Sequence, residues 1–256
     1  MHTANSRKAI PLVIRQILDD TLDLGVKDIE ALFTLCDELF FDLSSRASSD
    51  SEENLYFECM RELRSNGEMV MHAYQRCIIE NFAACVRGES LPHSQKVQHE
   101  DDEGLKLVDN EQLEIDIAIN NLATNTRPTS QEELTEVTLR MNHLLSDVEV
   151  TQETCPLDPG NMGSAFAFAC QENLEISNKC LVIILKQYER HVLNKLGNYF
   201  SSANQLLVDE GILPVITESM KHSISNEAPN ADTGLQPAPG AQPPNIDPVA
   251  AASGTS

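Results

Sequence analysis

The sequence predicts an all-α protein, a multi-helix bundle with one long central helix and a disordered C-terminal tail. Three observations carry this prediction. Apolar residues recur at steps of three and four through nearly every patterned segment, the signature of helices with one buried face. The stretch Ser177–Val208 keeps that period longest, with Leu181, Ile184, Leu185, Tyr188, Val192, Leu196, Tyr199, Ala203 and Leu206 on one stripe, no Pro and a single Gly. As one helix it would be about 48 Å long. Finally, no alternation of strand-like and helix-like segments is present, which excludes an α/β nucleotide-binding architecture.

Taken in order, Pro11 opens a first helix to Leu24, and Gly25 breaks it. Asp28 caps a second helix carrying Ile29, Leu32, Phe33, Cys36, Leu39, Phe40 and Leu43. After a polar turn, Ser49 or Ser51 caps a third, with Glu52 and Glu53 in its first turn and Leu55, Cys59 and Leu63 inward. Gly67 marks a break, and a fourth helix carries Val70, Ala73, Tyr74, Cys77, Ile78, Phe82 and Cys85 to Gly88. Residues 1–87 thus form a first helical group.

Residues 88–104 lose periodicity and contain Glu100-Asp101-Asp102-Glu103, the character of a solvated acidic linker. It divides either two small subdomains or two halves of one bundle. The second group, 105–222, opens on the apolar patch Leu105–Val108. Asp109 or Asn110 caps a helix through Ile115, Ile119 and Leu122. Pro128 and Ser130 start the next, with Leu134, Val137, Met141 and Leu144/Leu145 inward. Asn161 caps another, with Met162, Phe166, Ala169 and Cys170 as its apolar face. The long helix 177–208 follows, and a short one over Leu213–His222 closes the group. Residues 223–256 hold half of the twelve prolines, seven alanines and no Lys, Arg or aromatic residue, the composition of a disordered linker. A linker implies something to link, so the chain reads as the N-terminal part of a larger protein.

Composition narrows the function. Forty acidic against eighteen basic residues give a net charge of −22. That argues against non-specific nucleic-acid binding and against docking on anionic lipid. Seven cysteines, an odd number with no CxxC, sit mostly among apolar helical residues, as reduced thiols do in a cytoplasmic protein. No apolar run exceeds six residues, so no membrane insertion is expected.

No motif carries chemistry. Gly160 and Gly163 lack the Lys and the preceding strand of a phosphate loop, and no GxSxG elbow occurs. His93 and His99 beside the acidic run would hold a metal only weakly, because a loop pre-organises nothing. Asp109, Glu111, Glu114 and Asp116 lack the glycine and spacing of a calcium loop and suit the first turn of a helix. No cofactor, metal or catalytic residue is therefore expected. Lys179, Lys186 and Arg190 share one face of the long helix. They either pair with the protein's own carboxylates or form an anion- or partner-binding stripe. His191, next to Val192, reads as a hydrogen-bonded structural histidine rather than a general base.

Several stretches together resemble a large proteobacterial family known as domain of unknown function 1631, some of whose members are labelled thymidine phosphorylases. They are Asn54–Arg64 (NLYFECMRELR), Leu105–Asp109 (LKLVD), Cys155–Pro159 (CPLDP) and Leu181–Ile216, with Tyr188–Leu193 (YERHVL) at its heart. The resemblance implies an N-terminal helical region of a protein several hundred residues long. Some relatives resemble fusions to a cyclic-di-GMP-binding domain. This chain lacks that domain's paired arginines and its Asp/Asn-x-Ser-x-x-Gly motif, and the family offers no catalytic residues to transfer. The leading expectation is a non-enzymatic cytoplasmic interaction or scaffold module that binds a protein partner or itself. The alternatives are a regulatory module in cyclic-dinucleotide signalling and an enzyme.

Overall fold

The computed structural model describes residues 10–94 and 110–225, and these are helical with no strand among them. Residues 95–104 of the expected linker, the apolar patch Leu105–Val108 and the possible cap Asp109 lie outside the described residues, as do residues 226–256 of the expected tail. Residues 223–225 of that tail are helical.

Two long helices replace the four expected at the start. α1 spans Leu12–Ser45 and α2 spans Asp50–Arg87. At 1.5 Å per residue they are about 51 and 57 Å long. Gly25 does not break α1, because Ile14, Ile17, Leu18, Thr21, Gly25, Ile29, Leu32, Cys36 and Phe40 form one unbroken buried stripe. Gly67 does not break α2 either. A Cβ there would lie 3.1 Å from the Phe33 ring, so the glycine lets α1 come close. The roughly 1 kcal/mol that glycine costs a helix interior is offset by that packing. Asp28, expected as a cap, instead lies inside α1 and receives Lys195 Nζ at 2.6 Å and the Tyr199 hydroxyl at 2.8 Å. Ser49 does cap α2, accepting the Glu52 N–H, while Glu52 returns a bond to the Ser48 N–H.

The start of the expected solvated linker turns out to be packed. Leu91 is buried, the His93 N–H donates to Asn81 Oδ1, and the His93 ring lies on Phe168 and against Glu80. The bonds from His93 to Asn81 and Glu80 hold this turn on α2.

α3 (Asn110–Thr126) runs through a 3-10 turn, Arg127–Ser130, into α4 (Gln131–Leu144). α5 (Pro159–Asn173) is capped by Asp158, which accepts the Gly160 N–H at 2.8 Å, with Pro159 at the first helical position. Asn161, the expected cap, donates instead to the Glu153 and Cys155 carbonyls.

The expected long central helix is two helices. α6 (Asn178–His191) and α7 (Leu196–Asp209) are separated at Val192 by a 3-10 turn, Leu193–Lys195. The cause is a second apolar register. Leu193, Phe200 and Leu207, which lie off the predicted stripe, are buried, whereas Leu206 of that stripe is only half-buried. The turn changes the facing direction, so α6 packs on α3 while α7 packs on α4, and both touch α1. A short α8 (Glu218–Ser225) ends the described chain.

The described helices of both groups fall within one compact unit, and one apolar core runs from Val13 to Leu207. At its centre Phe166 stacks on Tyr188 at 4.1 Å and meets Tyr74 edge-on. The two tyrosine hydroxyls bond to each other at 2.9 Å, which satisfies both in the dry interior. All seven cysteines are buried and unbridged.

Candidate functional site

The sequence-predicted cations separate in the structure. Lys179, at the start of α6, reaches back to α2: its Nζ lies 2.6 Å from Glu52 Oε1 and 5.2 Å from the centre of the Tyr56 ring. Lys186 and Arg190 are exposed, and among the described residues no carboxylate pairs with either. Lys186 lines a cleft between α3 and α6 of about 310 Å³; Arg190 stands outside it.

Helical periodicity builds this cleft. On α3, Ile115, Ile119 and Leu122 point into the core. The adjacent face is left open, with Leu113 and Ile117 each nearly half exposed, one turn apart. On α6, Ile184, Leu185 and Tyr188 are buried, and Val182, Lys186 and Glu189 form the edge that faces α3. Leu122 and Leu185 floor the cleft; Ile117, Asn121, Lys186 and Glu189 are on its rim. Asn125 Nδ2 donates to Glu189 Oε1 at 3.1 Å, which ties the two walls together. Close approach behind the floor depends on Gly163 of α5, where a Cβ would lie 2.7 Å from Leu122 Cδ1. The end of α3 is clamped in turn. Arg127 donates two bonds to Asp158, at 2.8 and 2.9 Å, and the Asp158 carboxylate is almost wholly buried.

Chemically the cleft is an apolar floor with a mixed rim. No hydroxyl, thiol or imidazole lines it, and its ionisable side chains are Lys186, Glu114 and Glu189. The remaining sequence candidates do not converge on it. His191 is half-buried, and among the described residues no hydrogen bond reaches its ring, so the expected anchoring of that histidine is absent there. Asp116 accepts from Gln112 within α3, and Glu114 lies at the cleft edge. Of the His93/His99 pair, His93 binds Glu80 and His99 lies outside the described residues. Among the described residues no group of three or more His, Cys, Asp or Glu side chains is placed to hold a metal, and no helix is long and apolar enough to cross a membrane.

Sequence reasoning found Lys186 but missed the other wall. Ile117 carried the available signal, an apolar residue beside the buried 115–119–122 stripe.

No curated protein and no solved structure matches this chain. Residues 9–211 match the family described as "Protein of unknown function (DUF1631) N-terminal domain", and with that match covering most of its length the chain belongs to this family.

Proposed function

We propose that this domain is a non-enzymatic, cytoplasmic interaction module that takes an amphipathic helix of a protein partner into the α3/α6 cleft. One observation carries the reading: an apolar floor and the exposed Ile117 lie beside Lys186, a cation without a carboxylate partner among the described residues. A helix laid in such a groove buries apolar anchors at helical spacing. A carboxylate on the partner would meet Lys186, and Arg190 just outside would extend the same preference. Lys179 has no part in this surface, because Glu52 occupies it. Seven unbridged thiols suit a reducing compartment.

The test is affinity capture with the full chain, followed by proteolytic mapping of what is bound. The expected result is a stoichiometric partner whose protected segment is helical and acidic. It is lost on Lys186→Glu and on Ile117→Glu, with the circular dichroism of the bait unchanged. Capture indifferent to both substitutions overturns the reading. Heat released on titration with a cyclic dinucleotide, abolished by Lys186→Glu, would establish the signalling alternative instead.

A further inference from the structure

The helix expected over Leu213–His222 begins instead at Glu218, as α8. The connection leading to it shows why. α7 ends in a Schellman turn with Gly211 at φ +75°. There the Gly211 N–H donates to the Val208 carbonyl and the Ile212 N–H to the Leu207 carbonyl, both at 2.9 Å. Ile212 packs against the core and anchors this end. Leu213 then takes φ +45°, and among the described residues no other non-glycine has a positive φ. In that region a Cβ crowds the following carbonyl oxygen. Pro214 comes next, and a proline favours extended backbone at the residue before it. Among the described residues no backbone hydrogen bond made by 213–216 offsets the strain, and Val215 is 76% exposed.

A strained residue persists only where its surroundings hold it. The far anchor is electrostatic. Lys221 of α8 puts its Nζ 2.5 Å from Glu132 and 3.2 Å from Glu136, both on α4, and 3.7 Å from Glu218 of its own helix. The lysine side chain is only 17% exposed, so solvent screens these contacts less than it would on an open surface. Glu136 also receives Arg140, whose guanidinium donates to Asn204 of α7. One polar network thus joins α4, α7 and α8. Apolar contact adds little to it, since Met220 and Ile224 are the only apolar residues of α8.

We propose that α8 is a strained strap held on α4 by Lys221, a conformational device with two states. In the closed state Leu213 is left-handed and Lys221 lies against Glu132 and Glu136. When that contact is lost, Leu213 returns to extended backbone and carries α8 away. Glu132 then loses its cation and Glu136 keeps only Arg140, so opening adds negative charge to the surface of α4. The strain at Leu213 raises the closed state and holds the two states close enough in energy to switch. The strap shares no residue with the α3/α6 cleft and does not depend on that reading.

Amide hydrogen exchange of the full chain, read by mass spectrometry over residues 218–225, tests both anchors. In wild type at low salt these amides are protected. Lys221→Gln speeds their exchange about tenfold and leaves α7 unchanged. Salt at about 1 M, where the screening length is about 3 Å, acts in the same direction. Leu213→Ala and Leu213→Gly both remove the leucine side chain, so their difference isolates the backbone. Glycine enters the left-handed region without strain, so Leu213→Gly exchanges about fivefold slower than Leu213→Ala. In an unstrained connection the order reverses, because glycine is the more flexible residue. Unprotected amides over 218–225 in wild type overturn the strap. So does exchange indifferent to Lys221→Gln, or accelerated equally in α7. Leu213→Gly exchanging as fast as Leu213→Ala, or faster, overturns the strained hinge.

Discussion

Asp158 holds the start of α5 to the end of α3. Its carboxylate caps α5 through the Gly160 N–H and receives both arms of Arg127, whose side chain is about one-third exposed. Asp158→Ala removes the cap, at about 1 kcal/mol. It also leaves the Arg127 guanidinium half-buried and unpaired. A fully buried orphan charge costs about 3–5 kcal/mol, and water reaching Arg127 reduces this to about 2–3. The total is about 3–4 kcal/mol, or a fall in Tm of about 10 °C for a unit of this size. Asp158→Asn keeps an acceptor for the cap but not the charge, so it costs about 2 kcal/mol. Urea unfolding followed by circular dichroism measures both, and the double variant Asp158→Ala/Arg127→Met falls short of the sum because the orphan charge is gone. The reasoning is refuted if Asp158→Ala costs under about 1 kcal/mol, or if Asn and Ala are equivalent.

The Tyr74–Tyr188 bond gives a second test. Tyr188→Phe strands a buried Tyr74 hydroxyl and costs about 1–3 kcal/mol, whereas adding Tyr74→Phe recovers part of the loss. A double variant worse than the sum of the singles contradicts the pairing. Gly163→Ala destabilises by about 1–2 kcal/mol, because overpacking against Leu122 exceeds the helix-propensity gain, and Gly67→Ala stays within about 1 kcal/mol of wild type. Acid titration tests the α2–α6 contact. The Glu52 carboxyl is held down at about 2, first by Lys179 and then by the Ser48 N–H and hydroxyl. A lowered carboxyl contributes stability above its unfolded value near 4.5, and the contribution is lost as pH falls towards 2. Thermal melts between pH 5 and 2 therefore fall more steeply for wild type than for Glu52→Gln. Salt narrows the difference, because the Glu52–Lys179 pair lies at the surface. Identical slopes would contradict this.

Most of the helical content was legible in the sequence, because burial on one face of a helix imposes a period that composition cannot hide. The errors fall where tertiary contact overrules local punctuation. Gly25 and Gly67 read as breaks, yet Gly67 is small because Phe33 lies on it. Ser177–Val208 reads as one helix because Leu196, Tyr199 and Ala203 continue the α6 stripe. Leu193, Phe200 and Leu207 supply a second register, and only the placement of α3 and α4 decides between them. No Gly or Pro marks the break at Val192, so it is absent from any local signal.

The candidate site follows the same logic. Lys179, Lys186 and Arg190 share a face of one helix, which the sequence shows, but their fates depend on what stands opposite. Lys179 meets the Glu52 that closes the α2 capping box, so the carboxylate that starts one helix neutralises the cation that starts another. Lys186 meets α3, whose facing edge presents Ile117, Asn121 and Asn125. The turn at Val192 is what makes this possible. A straight 32-residue helix would have to present one face to α3 and α4 together, whereas the break lets α6 align with α3 alone and leave its Lys186 edge open. A substitution that straightens this turn would thus disturb the cleft through α6 before it reaches any residue lining it.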